Sequence, residues 1–168
     1  MWTETKRTTS RGTPTGRWAY AVAGAAVALG AWTGARAAGP SDSWYASLDK
    51  PDWQPPARAF PVVWTALYAS MAWSAGHAVT RAGGRQRRAL VTGFGTNLAL
   101  NSAWTWLFFA LRSPAAGVGG ALLLDASNLR LVRRVARSDP KAAAALVPYA
   151  GWCLFATALS ASIARRNR

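Results

Sequence analysis

Reactive and metal-binding side chains are nearly absent from this 168-residue sequence. It has one cysteine, Cys153, and one histidine, His77. A single thiol cannot build a disulfide-stapled module. One Cys and one His leave too few ligands for a zinc site, and no metal is expected. Acids are scarce as well, with six Asp and Glu against 20 Lys and Arg and a net charge of +14. No carboxylates are paired for acid–base work, and no G-x-S-x-G elbow or phosphate-cradling glycine loop is present. Gly83-Gly84 and Gly93-x-Gly95 lack the strand-turn-helix setting that such loops need. His77 has no evident partner and reads as an interfacial packing residue. Hydrolytic and metal-assisted catalysis have no visible machinery here.

What is abundant is apolar and aromatic: 51% of residues are hydrophobic, and ten are Trp. That content excludes a disordered chain. The length suits one domain. The positive charge fits either nucleic acid or a membrane surface, and its distribution decides between them. Basic residues crowd Lys6–Arg17, Arg81–Arg88, Arg130–Lys141 and Arg165–Arg168, while Trp18–Ala35, Phe60–Thr80, Ala89–Leu111 and Ala142–Ala164 carry no charge. Each uncharged stretch has about the length needed to cross ~30 Å of hydrocarbon as a helix. A nucleic-acid binder would interleave Arg and Trp on one surface. Here the tryptophans sit inside the uncharged stretches and the arginines outside them, so the expected partner is a bilayer and not nucleic acid. The mean hydropathy is only +0.04 because arginine-rich connectors dilute very apolar segments.

A fifth segment, Pro114–Arg137, starts apolar and ends with Arg130, Arg133, Arg134 and Arg137 at helical spacing, read as lying opposite Leu129, Val132 and Val135. It reads as a spanning helix whose arginines reach the headgroups, with a re-entrant segment as the alternative. Its acid, Asp125, must face protein or water, and a neighbouring Arg is the expected partner. The sequence therefore predicts an all-α integral membrane protein with five transmembrane helices, at about 18–38, 60–80, 88–111, 114–137 and 141–164. A basic leader occupies 1–17, the membrane domain 18–168 and a lid loop 39–59. With five spans, 13 of the 20 basic residues fall on the side of the amino terminus and the second and fourth connectors. The positive-inside rule then places the amino terminus in the cytoplasm of a bacterial plasma membrane and the first loop outside. The first helix resembles a cleavable signal peptide, but Arg36 at the cleavage region and two tryptophans in its core argue for retention. Gly30 and Gly34 stand at the close-packing spacing of membrane helices.

The first loop, WYASLDKPDWQPPARAF, combines Pro51, Pro55 and Pro56 with Trp44, Tyr45, Trp53 and Phe60. The prolines stiffen it, so it is expected to fold over the helix ends as a lid with its rings buried. An interfacial aromatic belt is the alternative. Phe60, Trp64, Tyr68 and Met71 share one helix face. Asn97, Asn101, Trp104 and Phe108 share a second, and Tyr149, Trp152, Ala156 and Ser160 a third. Buried amides on a membrane helix are costly unless paired, so these faces look inward. They make either plain helix packing or a pocket with aromatic walls for a flat apolar ligand.

On these residues the chain resembles the TspO/MBR family, the tryptophan-rich sensory proteins that include the mitochondrial translocator (peripheral benzodiazepine receptor). The family pattern W-Y-x-x-L-x-K-P-x-W-x-P-P is matched by Trp44-Tyr45, Leu48, Lys50-Pro51, Trp53 and Pro55-Pro56. F-x-x-x-W-x-x-L-Y is matched by Phe60, Trp64 and Leu67-Tyr68. The later blocks are matched by Leu98, Leu100-Asn101, Trp104 and Phe108-Phe109, then by Pro148-Tyr149, Trp152, Phe155-Ala156 and Leu159.

The resemblance implies a five-helix bundle, pairing into homodimers, with a pocket under the first loop for protoporphyrin IX or haem-like porphyrins. No obligatory cofactor is implied. The ligand-binding set is Trp44, Trp53, Pro55, Phe60, Trp64, Tyr68, Asn101, Trp104, Tyr149, Trp152 and Ala156, with Trp44 and Pro55 shaping the lid. Lys50 or Arg58 would meet ligand propionates. The function so implied is binding of tetrapyrrole-like ligands as sensor, carrier or regulator. The alternatives are a light- and oxygen-dependent porphyrin-degrading enzyme using Trp53, Trp104 or Trp152, or a structural or transporter subunit without a porphyrin role. Asp52 stands where some bacterial relatives carry a second Trp, which weakens the case for degradation more than for binding. Ser160 replaces the usual Asn, Asn97 a common Gln, and no sterol motif follows Tyr149.

Overall fold

The computed structural model of the chain describes residues 14–39 and 43–168. Most of the basic leader, Trp2 included, lies outside them. Five long helices and one short one make up the fold: α1 (Pro14–Ala38), α2 (Ser43–Ser47), α3 (Ala59–Arg81), α4 (Gly84–Thr105), α5 (Pro114–Ala136) and α6 (Pro140–Arg166). No strand occurs among the described residues. α4 runs on into a π-helical turn, Trp106–Ala110, closed by the Leu111 N–H on the Trp106 carbonyl at 3.0 Å. The basic run Arg85–Arg88 is therefore already helical, and the lid contains a helical turn of its own.

Local chemistry fixes the helix ends. Ser113 caps α5 and Asp139 caps α6, each accepting from the backbone N–H three residues on and each followed by proline at the first helical position. Gly84, at a φ of +49°, makes the tight turn between α3 and α4. Pro148 inside α6 leaves the Ala144 carbonyl without its usual donor. Nearby, α3 hydroxyls reach the α6 backbone, Ser70 to the Ala145 carbonyl and Ser74 to that of Ala142 at 2.8 Å.

The long helices form a ring in the order α1, α3, α6, α5, α4, closed by α4 against α1. Gly30 and Gly34 face α4, next to Leu98 and Thr105. Thr33 and Ser102 hydrogen-bond across this seam at 3.1 Å. The close-packing pair thus works inside the bundle.

Met71, Leu90, Leu124, Leu146 and Val135 fill the core, together with Asn97, Asn101 and Tyr149. The outer surface carries Trp18, Leu29, Trp32, Val62, Leu122, Leu123, Leu129 and Leu154. Apolar outside and amide-bearing inside is the arrangement of a helical bundle in lipid. α1 (over Gly16–Ala37) and α6 are each long and apolar enough to cross a bilayer.

Three expectations change. On α5 the buried residues include Asn128, Leu131 and Val135, while Leu129 is exposed. Among the described residues Asp125 meets no arginine and instead accepts the Thr157 hydroxyl of α6 at 2.7 Å. His77 is well partnered. Tyr20 and Arg81 approach its Nδ1 at 3.0 and 2.9 Å, Asp139 lies 3.5 Å from its Nε2, and Trp73 stacks on its ring. Trp73 and Arg81 stand four residues to either side of His77 on α3, but Tyr20 of α1 and Asp139 at the start of α6 are announced by no spacing along the chain.

Candidate ligand cavity

A cavity of about 810 Å³ opens between α1, α3, α4 and α6 beneath the lid. This lies within the range of pockets that hold drug-sized ligands. Its walls are mostly aromatic. α3 contributes Phe60, Trp64 and Tyr68, α4 and its π turn contribute Trp104, Phe108 and Phe109, and α6 contributes Trp152 and Ala156. Trp64 is the hub, stacked on Tyr68 at 5.3 Å and touching the rings of Trp104 at 6.0 Å and Trp152 at 6.4 Å. Phe60 meets Trp152 edge-on at 6.0 Å. Ala31, Gly34 and Ala35 of α1 face these rings with almost no side chain, and that asymmetry leaves the space open.

Two glycines of α5 let the α4 rings lean outward. A Cβ on Gly117 would stand 2.5 Å from Phe108, and one on Gly120 would stand 2.8 Å from Leu107 and 3.2 Å from the Trp104 backbone. The π turn matters for the same wall. It brings the consecutive rings Phe108 and Phe109 both under Tyr45, at 6.1 and 5.2 Å.

Behind the wall runs a buried chain of side-chain hydrogen bonds. The Tyr68 hydroxyl donates to Asn101 Oδ1 at 2.8 Å, and Asn101 Nδ2 donates to the Tyr149 hydroxyl at 3.1 Å. Tyr149 donates to Asn97 Oδ1 at 3.0 Å, and Asn97 Nδ2 donates to Asn128 Oδ1 at 2.7 Å. The one hydroxyl proton of Tyr68 is spent on Asn101, so its oxygen faces the cavity as an acceptor.

The lid closes the top. Trp44 packs edge-on against Phe108 at 5.9 Å, and Tyr45 donates to Gln54 Oε1 at 3.1 Å. Burial raises the pKa of Tyr45, so its hydroxyl stays protonated. Lys50 Nζ folds back onto the carbonyls of Ala46 and Leu48 at 3.0 and 2.9 Å, and lies 5.1 Å from the Tyr45 ring centre. Two of its three protons are spent, and it sits on the cavity wall with one left. The lid is also tied to the end of α6. The Asp49 N–H donates to Asn167 Oδ1 and Asn167 Nδ2 donates to the Asp49 carbonyl, both at 2.9 Å, with Arg166 3.6 Å from the Asp49 carboxylate.

Of the residues singled out from sequence, Phe60, Trp64, Tyr68, Trp104, Trp152 and Ala156 are on the wall. Asn101 and Tyr149 lie one layer behind, committed to the hydrogen-bond chain. Trp44 and Pro55 belong to the lid and do not line the space. Trp53 departs most: the residue is 51% exposed, and its ring lies outside the cavity against Phe155 at 5.7 Å. Arg58 is exposed and off the wall, which leaves Lys50 as the cation at the mouth. Sequence reasoning did not place Tyr45, Gln54, Phe109, Leu159 and Ile163 in the wall. Only the density of aromatics around the three lid prolines hinted at the first two.

The profile of the TspO/MBR family matches residues 21–166. The tryptophan-rich protein TspO of Archaeoglobus fulgidus is 35% identical over 127 residues, covering 72% of this chain and 78% of its own. The human translocator protein is 34% identical over 145 residues, covering 84% and 86%. The tryptophan-rich sensory protein of Cereibacter sphaeroides is 32% identical over 126 residues, covering 75% and 78%. A match that spans residues 21–166, together with relatives above 30% identity over most of their length, shows that the chain belongs to the TspO/MBR family of membrane proteins.

Proposed function

We propose that this protein is a multi-pass membrane protein that binds a flat, tetrapyrrole-like ligand under its lid and acts as a sensor, carrier or regulator. The observation that carries the reading is the cavity wall. Four rings, Phe60, Trp64, Trp104 and Trp152, surround an 810 Å³ space with a hydroxyl acceptor at Tyr68 and an ammonium at Lys50. Indole faces suit a planar macrocycle. Lys50 suits a propionate at the mouth, and Tyr68 suits a ligand N–H deeper in.

The test is a titration with protoporphyrin IX in detergent, following tryptophan fluorescence in the dark. Saturable quenching that weakens in Trp64→Ala is expected, and unsaturable quenching would sink the reading. The same mixture under illumination addresses degradation, because loss of porphyrin absorbance with this protein and not with Trp104→Phe would assign an enzyme.

The orientation proposed is amino terminus inside and lid outside. It is supported by the 13 basic residues on the side of the connector ends, which meet at one face where Arg81 lies 3.6 Å from Asp139, while the lid meets the end of α6 at the other. A cysteine placed at the exposed Asp52 should react with an impermeant thiol label from outside intact cells. Labelling from inside alone would invert the topology. The homodimer belongs to the same proposal, through a surface other than Gly30 and Gly34.

A further inference from the structure

The arginines at the connector end are more than an orienting charge. Arg134 on α5 donates to the Ala89 carbonyl on α4 at 3.0 Å, which sets the end of α5 level with the start of α4. Arg85 lies one turn before Ala89, and Arg88 lies next to it. Arg130 lies one turn deeper than Arg134, about 6 Å further along the helix. Two turns deeper again on the same side of α5 is Leu123, an exposed leucine. Arg85, Arg88 and Arg130 are all exposed and make no ion pair among the described residues. The nearby acids are committed elsewhere, Asp125 to Thr157 and Asp139 to His77, Arg81 and the Ala142 N–H.

A guanidinium beside lipid-facing leucines is costly unless it reaches an anion at the headgroup level. Between the two helices, Gly93 offers no side chain, and Arg134 passes within 3.6 Å of where its Cβ would be. The seam therefore has one guanidinium held in place by a backbone carbonyl, three more around it, no internal counter-charge, and apolar surface leading away toward the bilayer centre. We propose that the α4–α5 seam is a binding site for the phosphate group of an anionic membrane phospholipid, held by Arg85, Arg88, Arg130 and Arg134. Guanidinium forks match phosphate oxygens, and the acyl chains would lie along Leu123, on the Arg130 side of α5.

This inference rests on the multi-pass reading, and the experiment separates the two. The protein, Arg130→Gln/Arg134→Gln, Arg85→Gln/Arg88→Gln and the charge-matched control Arg165→Gln/Arg168→Gln are placed in phosphatidylcholine vesicles with and without phosphatidylglycerol. They are then extracted gently, and retained lipid is counted by native mass spectrometry. Flotation with the vesicles reports insertion, and failure of the unaltered protein to insert would overturn the multi-pass reading itself. Among inserted proteins, retention of phosphatidylglycerol over phosphatidylcholine is expected. It should fall by about tenfold or more in either seam variant, as loss of two arginines near an anionic surface requires, and stay unchanged in the control. Equal retention in all variants, or an equal fall in the control, would overturn the site. So would release of the lipid by millimolar glycerol phosphate, which would mark a soluble phosphate as the ligand. Protoporphyrin quenching at the opposite end serves as the folding check, and the second seam variant keeps the test decisive if the first does not fold.

Discussion

The two ends of this bundle use similar residues to opposite effect. Toward the connectors, small residues such as Ala78, Ala142 and Ala143 let α3 and α6 close on Met71, Leu90 and Leu146, and the space left at that end is a smaller one of about 360 Å³ on the α1 side, between Val22, Val79 and Phe94. Toward the lid, Gly34 and Ala35 of α1 are equally small, but the rings opposite them stack on one another or lean onto Gly117 and Gly120. Small residues facing aliphatic side chains produce contact. Small residues facing rings already engaged elsewhere produce a cavity. Between the two ends lies the chain from Tyr68 to Asn128, with one end at the cavity and the other in the packed half.

The sharpest test of that division is Asn97→Ala. It strips partners from Tyr149, Asn128 and Ser127, and should cost about 3 kcal/mol in unfolding free energy, measured by denaturing-detergent titration. Protoporphyrin affinity of the folded fraction should hold. A parallel collapse of affinity would mean that the two halves are one unit.

Trp64→Ala should do the reverse, lowering affinity by about tenfold or more through lost ring stacking. Trp53→Ala, outside the wall, should change it by less than about threefold. If the two variants lose equally, the cavity boundary described above is wrong. Asn167→Ala removes the amide clasp on Asp49 and should speed ligand release in stopped-flow by about threefold to tenfold, with little change in unfolding. An unchanged release rate would show that the lid opens elsewhere.

The smallest effect belongs to the connector end. The Ala142 N–H, then the charges of His77 and Arg81, hold the Asp139 carboxyl below its ordinary value of 3.8 against the opposing effect of burial. A lowered folded pKa contributes stability that is complete above about pH 4 and is lost as pH falls through the folded value. Melting temperature should therefore drop on acidification below that point. The drop should be smaller in Asp139→Asn, whose neighbours Tyr20, His77, Arg81 and Lys141 are unchanged. An identical acid profile in the variant would remove Asp139 from the account.

Much of the wall was legible in the chain because burial on one helix side leaves a period. Phe60, Trp64 and Tyr68 repeat every four residues, and the Asn97, Asn101, Trp104 set does nearly the same, so their inward direction could be read. Trp53 could not be placed that way, since a ring in a proline-rich loop obeys no period and here turns out onto Phe155. Phe109 entered the wall through the π turn, a register change that leaves no mark in residue spacing. On α5 the arginines mark the outer side, and Val132 and Val135 opposite them do turn to the core, but Leu129 is exposed. Arg134 lies at the edge of that face and reaches sideways to the α4 backbone, a direction that spacing alone does not give. His77 and Asp139 meet across 62 positions, a contact that only the ring of helices creates.

The Asn167–Asp49 clasp has one more consequence. A lid that must lift for a ligand to enter has to release the last turn of α6, so occupancy of the cavity and order at that helix end are thermodynamically linked. The linkage is reciprocal. Amide hydrogens in the final turn of α6 should exchange more slowly when the cavity is filled, which makes the far end of the chain a reporter of what the lid encloses.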